Sequence, residues 1–320
     1  MITTLLQGAR AWERGDVHDE DWLVSLSEAC LYELQETLQH LRAKPLPLLL
    51  LDPADFRLEE CRKTMGRVHR ILDDGVGFAV VDRLPLDEMD MEEARALFWL
   101  LAAFVARPVA QKLDGTIIYD VLDTGLKAEA GSSIRPDKTN AEIVFHNDNA
   151  YNLTPPEYSA LICLQTAKKG PLSRVMSVAT LHNEFLQRHP EALPRLYAPF
   201  WFDRNAEHHA DEDPVLSAPI FAHNGDLEAR LALHQLKNGY KLKREALDAS
   251  ALAAIDALED VFTDPSIWFE FFFERGQLQF LNNRAMVHSR TAFEDHVQPE
   301  NRRHVVRLWL RDKGDRAYPG

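Results

Sequence analysis

Residues 141–158 read AEIVFHNDNAYNLTPPEY. The first five alternate in the manner of a strand, and the segment after His146 runs as an extended loop to Thr154-Pro155-Pro156. Residues two apart on a strand point to the same side, so His146 and Asp148 at its end offer an imidazole and a carboxylate together. Such a pair says little alone. In a chain with 13 His and 50 acidic residues, roughly two H-x-[DE] steps arise by chance, and five occur: His18/Glu20, His146/Asp148, His182/Glu184, His189/Glu191 and His209/Asp211. His18 lies in an acidic stretch, His182 and His189 fall on or beside a helix where positions i and i+2 diverge, and His209 sits in the polar run AEHHADEDP. Only His146 follows a strand. On the residues alone, the pair equally fits a hydrogen-bonded structural histidine.

A mononuclear non-haem iron site needs two imidazoles and one carboxylate on one face, with the other face open. LQFLNNRAMVHSR (residues 278–290) puts His288 after two apolar runs, on a segment able to return beside His146. A core-edge histidine is the alternative. Downstream, residues 303–311 sort into two strand faces, His304, Val306, Leu308 and Leu310 against Arg303, Val305, Arg307, Trp309 and Arg311. Arginine suits a buried carboxylate receptor because its planar fork binds bidentately and keeps its charge. An outer face with solvated arginines is the other reading.

Bulk properties narrow the function classes. An apolar share of 46% and a charged share of 27% are those of an ordinary globular protein. A net charge of −14 argues against nucleic acid and against an anionic membrane surface. Cys30, Cys61 and Cys163 are scattered and odd in number, which gives no disulfide framework and fits a reducing compartment. The N-terminal residues lack a basic region followed by an apolar one, and no apolar run approaches the ~20 residues of a membrane span. The expectation is a cytoplasmic protein acting on a small molecule; a homo-oligomer is compatible with it.

Helical spacing predicts helices over residues 20–42, 57–73, 92–106, 180–188 and 245–261. Short strands are expected from residue 77, and at 117–122, 141–146, 159–165, 173–178, 268–274, 278–283 and 303–311, with a turn at Arg275-Gly276 joining 268–274 to 278–283. Many short strands with inserted helices suggest a mainly β protein with flanking helices and a double-stranded β-helix, or jelly-roll, core. The organisation expected is one domain over residues 1–320, with 1–76 a helical N-terminal buttress and 77–312 the core.

Taken together, FHNDNAYNLTPPEY (145–158), KKGPLSRVMSVATLHNEF (168–185), QLQFLNNRAMVHSRTAF (277–293) and NRRHVVRLWLRD (301–312) resemble the taurine dioxygenase and clavaminate synthase-like (TauD/TfdA-type) family of Fe(II)/2-oxoglutarate dioxygenases. The resemblance covers about three quarters of the chain, from residue 77 to 311. It implies that His146, Asp148 and His288 form the metal-binding and catalytic triad. It implies that Arg303 binds the far carboxylate of 2-oxoglutarate, with Arg302 as rival because a one-residue slip inverts strand faces. Arg307 matches the family's second arginine, near the open side of the metal or the substrate's acid group. Ser173 matches the hydroxyl that assists the co-substrate, although Gly170-Pro171 stands where two glycines are common, and Ser177 is the alternative.

The resemblance further implies 2-oxoglutarate and dioxygen as co-substrates, succinate and CO2 as products, and hydroxylation of an unactivated C–H bond in a small, acid-bearing molecule. Asp148 speaks against the halogenating branch, which carries a small residue there. Desaturation, cyclisation or oxidative cleavage would keep the same motif; a non-redox metal-binding jelly roll, a further alternative, would keep His146 and His288 but would not need Arg303. Tyr151 and Asn152 are candidates for the pocket wall, and the loop 203–214 for a lid.

Overall fold

The computed structural model describes residues 1–125, 136–223 and 225–318. Its strands, in chain order, are β1 (Leu23–Ser25), β2 (Phe78–Asp82), β3 (Arg107–Val109), β4 (Ile118–Val121), β5 (Ile143–His146), β6 (Tyr158–Gln165) and β7 (Leu172–Ser177). The second half adds β8 (Phe200–Asp203), β9 (Val215–Ala218), β10 (Phe221–His223), β11 (Leu227–Ala229), β12 (Trp268–Phe272), β13 (Leu278–Asn282), β14 (Met286–Arg290) and β15 (His304–Arg311). The larger sheet has the order β1-β2-β13-β6-β15-β3, with β4 also paired to β15; the smaller is β12-β7-β14-β5. Two hairpins, β8–β9 and β10–β11, stand apart from both.

Strands β2, β6 and β13 are buried along nearly their whole length, which is why they read as continuous apolar runs rather than as alternation. Between the sheets lie Phe78, Val80, Val175, Met286 and Val305. The opposite face of the larger sheet, with Val306, Leu308 and Leu310, packs on the helices Glu28–Ala43, Glu59–Asp73 and Met91–Ala102. A separate apolar cluster joins the helices Val178–Arg188, Leu233–Lys243 and Ala249–Val261 to Phe200 and Phe202 of β8. The mainly β architecture with flanking helices is the one expected. No helix among the described residues is long and apolar enough to cross a membrane.

Two local readings need correction. The helix expected over 20–42 is interrupted: Leu23–Ser25 pairs in parallel with β2, and Ser27 caps a new helix by accepting from the Cys30 N–H at 3.1 Å. Edge pairing wins over helical spacing there, so the N-terminal part is not wholly helical. The final inserted helix starts at Ala249 instead of 245, because the Asp248 side chain caps it at the Ala251 N–H, 2.8 Å away. Strands β12 and β13 follow one another around Arg275-Gly276 yet belong to different sheets, so this turn passes the chain between layers. The helix Leu233–Lys243 carries no strong amphipathic signature and was not expected.

That helix docks unusually closely. A Cβ at Gly239 would stand 2.4 Å from the carbonyl oxygen of Trp201 in β8, a backbone atom that cannot swing away. Gly239→Ala should therefore destabilise the protein by about 1–3 kcal/mol, read as a lower urea midpoint at constant slope; an unchanged midpoint would show that the helix can shift freely.

Candidate metal centre

The site is made where the smaller sheet ends. Strands β5 and β14 run antiparallel with His288 directly opposite His146. Direct opposition brings the rings to a centroid distance of 4.2 Å with planes at 47°. The chain then turns through Asn147, Asp148 and Asn149, the last at a φ of 55°, a left-handed conformation that Asn tolerates better than most residues. Two asparagines fasten the turn. Asn147 Nδ2 donates to the carbonyls of Asn283 and Met286 at 2.7 and 2.8 Å, and its Oδ1 accepts from the Leu231 N–H at 2.9 Å. Asn283 Oδ1 accepts from the Asp148 N–H at 2.8 Å while its Nδ2 donates to the Asp148 carbonyl at 2.9 Å.

One donor atom from each of His146, Asp148 and His288 lies within 4.8 Å of the others. Nδ1 of His146 is 2.9 Å from the carbonyl of Val144, which, with the proton on Nδ1, leaves Nε2 as the free lone pair. Two imidazoles and one carboxylate with a cavity on their open side fit a mononuclear iron ion. Burial works against ionisation of Asp148, but Arg307 and then the two imidazoles hold its carboxyl well below the usual range. His288 is shifted toward the neutral form, first by burial and then by His146. A neutral His288 beside an ionised Asp148 favours binding of a cation.

A cavity of about 270 Å³ opens on this centre, with Ile143, Tyr151, Asn149, His234, Gln235 and Trp309 among its walls. A second, smaller one adjoins it and is lined by Ser173, Gln279, Arg290, Arg303 and Val305; His146, Asp148 and Arg307 border both. Arg303 is buried, and its guanidinium has no hydrogen-bond or ion-pair partner among the described residues. Burial accordingly lowers its pKa. Arg302 lies outside this cavity and donates from Nε to the His296 carbonyl at 3.3 Å. Ser177 is committed elsewhere, accepting from the Ala179 and Thr180 N–H groups as a helix cap.

Arg307 is buried too, but engaged: Nη1 donates to Asp148 Oδ1 at 3.1 Å and Nε to Gln111 Oε1 at 2.8 Å. The arginine-bearing face of β15 thus looks inward, not to solvent as the alternative reading had it. Tyr151 lines the larger cavity, whereas Asn152 is fully buried and accepts from Arg204 Nε at 2.9 Å. Arg204 also donates to Glu212 at 2.8 Å and to the Asp213 carbonyl at 3.0 Å, which ties the loop 203–214 to the body. Sequence reasoning missed Gln111, Ser159, Asn283 and Arg290. Asn282-Asn283 between two apolar runs was the usable signal; Ser159 and Arg290 look like ordinary strand residues, and Gln111 lies in a connecting segment.

A family model described as "Taurine catabolism dioxygenase TauD, TfdA family" matches residues 42–309. FR-33289 synthase of Streptomyces rubellomurinus is 28% identical over 318 residues, which are 98% of this chain and 92% of that protein. An asparagine oxygenase structure with Fe(II), 2S,3S-3-hydroxyasparagine and succinate superposes with a TM-score of 0.66 at 20% identity, covering 90% of this chain and 93% of that one. The non-heme iron oxygenase OrfP with Fe and alpha-ketoglutaric acid gives 0.64 at 16% identity, over 91% and 94%. The last two establish likeness of fold, and the family model, extending over most of the sequence, establishes kinship: this chain belongs to the TauD, TfdA family of dioxygenases.

Proposed function

We propose that the protein is an Fe(II)- and 2-oxoglutarate-dependent oxygenase that hydroxylates an unactivated C–H bond of a small, acid-bearing molecule. The observation that carries this reading is Arg303: a buried cation, unpaired among the described residues, beside a two-histidine, one-carboxylate centre calls for an anionic ligand that reaches the metal. His146, Asp148 and His288 would hold iron, which supplies the activation of dioxygen that organic side chains lack. Arg303 would receive the far carboxylate of 2-oxoglutarate, with the Ser173 hydroxyl as a second donor. The balance is one substrate C–H, one dioxygen and one 2-oxoglutarate giving alcohol, succinate and CO2.

The chain's own contribution is binding, orientation and exclusion of water. The larger cavity takes the substrate against Tyr151, Ile143 and Trp309. The smaller keeps the co-substrate out of its path. Relatives that carry hydroxylated amino acids with succinate in their sites support hydroxylation over the other outcomes.

Two tests follow from these assignments. Fe(II) and 2-oxoglutarate added under argon should give a weak visible charge-transfer band that His146→Ala abolishes; no band in the unaltered protein, with no succinate release across a panel of small acids and amino acids, would sink the reading. Removing the Arg303 charge should cost about 2–5 kcal/mol of co-substrate binding, so Arg303→Gln should raise the KM for 2-oxoglutarate roughly thirtyfold or more, against about fivefold for Ser173→Ala. Arg302→Gln should leave that KM unchanged.

A further inference from the structure

The two oxygens of Asp148 stand in different surroundings. Oδ1 is 4.0 Å from Nε2 of His146 and accepts from Arg307. Oδ2 accepts from the Ser159 hydroxyl at 2.6 Å and from the Trp309 indole N–H at 3.0 Å. Both donors are built into the larger sheet: Ser159 on β6 and Trp309 on β15 are direct cross-strand partners, 1% and 2% exposed. A carboxylate oxygen has about two acceptor positions, and two donors occupy those of Oδ2. Oδ1, on the His146 side, is the oxygen left with a free acceptor position.

Resting on the reading of this site as an iron centre, we infer that Ser159 and Trp309 are positioning residues that confine Asp148 to ligation through a single oxygen. The chemistry gives this a purpose. A 2-oxo acid chelates through two atoms and dioxygen needs a further position, so a carboxylate binding through both oxygens would occupy room that the co-substrates require. A carboxylate on a turn can rotate about its Cβ–Cγ bond; two donors from neighbouring strands oppose that rotation. Arg307, held in turn by Gln111, fixes the same group from the Oδ1 side.

The test uses Co(II) as the probe, added alone to the full-length protein under argon and followed by its visible bands. Calorimetric titration with 2-oxoglutarate follows on the loaded protein. Ser159→Ala and Trp309→Phe each remove one donor; the first is nearly isosteric and the second keeps an aromatic ring in the same place. The double variant should show an altered Co(II) spectrum and bind 2-oxoglutarate about tenfold more weakly, with each single variant between. If the double variant does not fold, the same two readings on the single variants decide the question. Spectra and affinities equal to those of the unaltered protein overturn the inference. Failure of the unaltered protein to bind Co(II) would instead overturn the iron-centre reading on which it rests.

Discussion

The pairing of β5 with β14 in a register that sets His288 opposite His146 is the constraint on which the rest of the site depends. A slip of one residue would turn one imidazole to the other face of the sheet. Strand β14 cannot slip easily, because it is also paired to β7, with His288 opposite Val175. The metal-site geometry is thus fixed by two sets of backbone hydrogen bonds before any ion arrives. Asp148 is different in kind: it sits on a turn, and its place is set by side chains, through Asn147 and Asn283 below it and Ser159, Trp309 and Arg307 around its carboxylate.

That difference explains what was legible in the sequence. The strands were visible because their apolar runs have a length and period that few other structures share, and H-x-D could be assigned because a strand preceded it. His288 was placed by the arginines after it. What could not be read is whatever depends on register between distant strands. Ser159 and Trp309 are 150 positions apart in the sequence and meet only because β6 and β15 are neighbours. Likewise Gln111 reaches Arg307 from outside any motif. The interrupted first helix failed for a related reason, since the pairing of Leu23–Ser25 with β2 is a tertiary contact that helical spacing cannot report.

The two buried arginines of β15 divide their labour by what faces them. Arg307 has carboxylate and amide acceptors and is spent within the protein. Arg303, four residues along the same face, has a cavity. Equal chemistry at equal burial therefore yields one internal brace and one cation that faces a cavity, and the distinction lies in the neighbours alone.

On the proposed assignment, a divalent cation at the triad and a dianionic co-substrate against Arg303 would bring equal and opposite charge into the same buried volume. The filled site then has the same net charge as the empty one. A third molecule approaching through the larger cavity would then meet a long-range field that is nearly independent of loading, so any preference it has for the loaded site must come from shape and from local charge separation, not from a change in overall attraction.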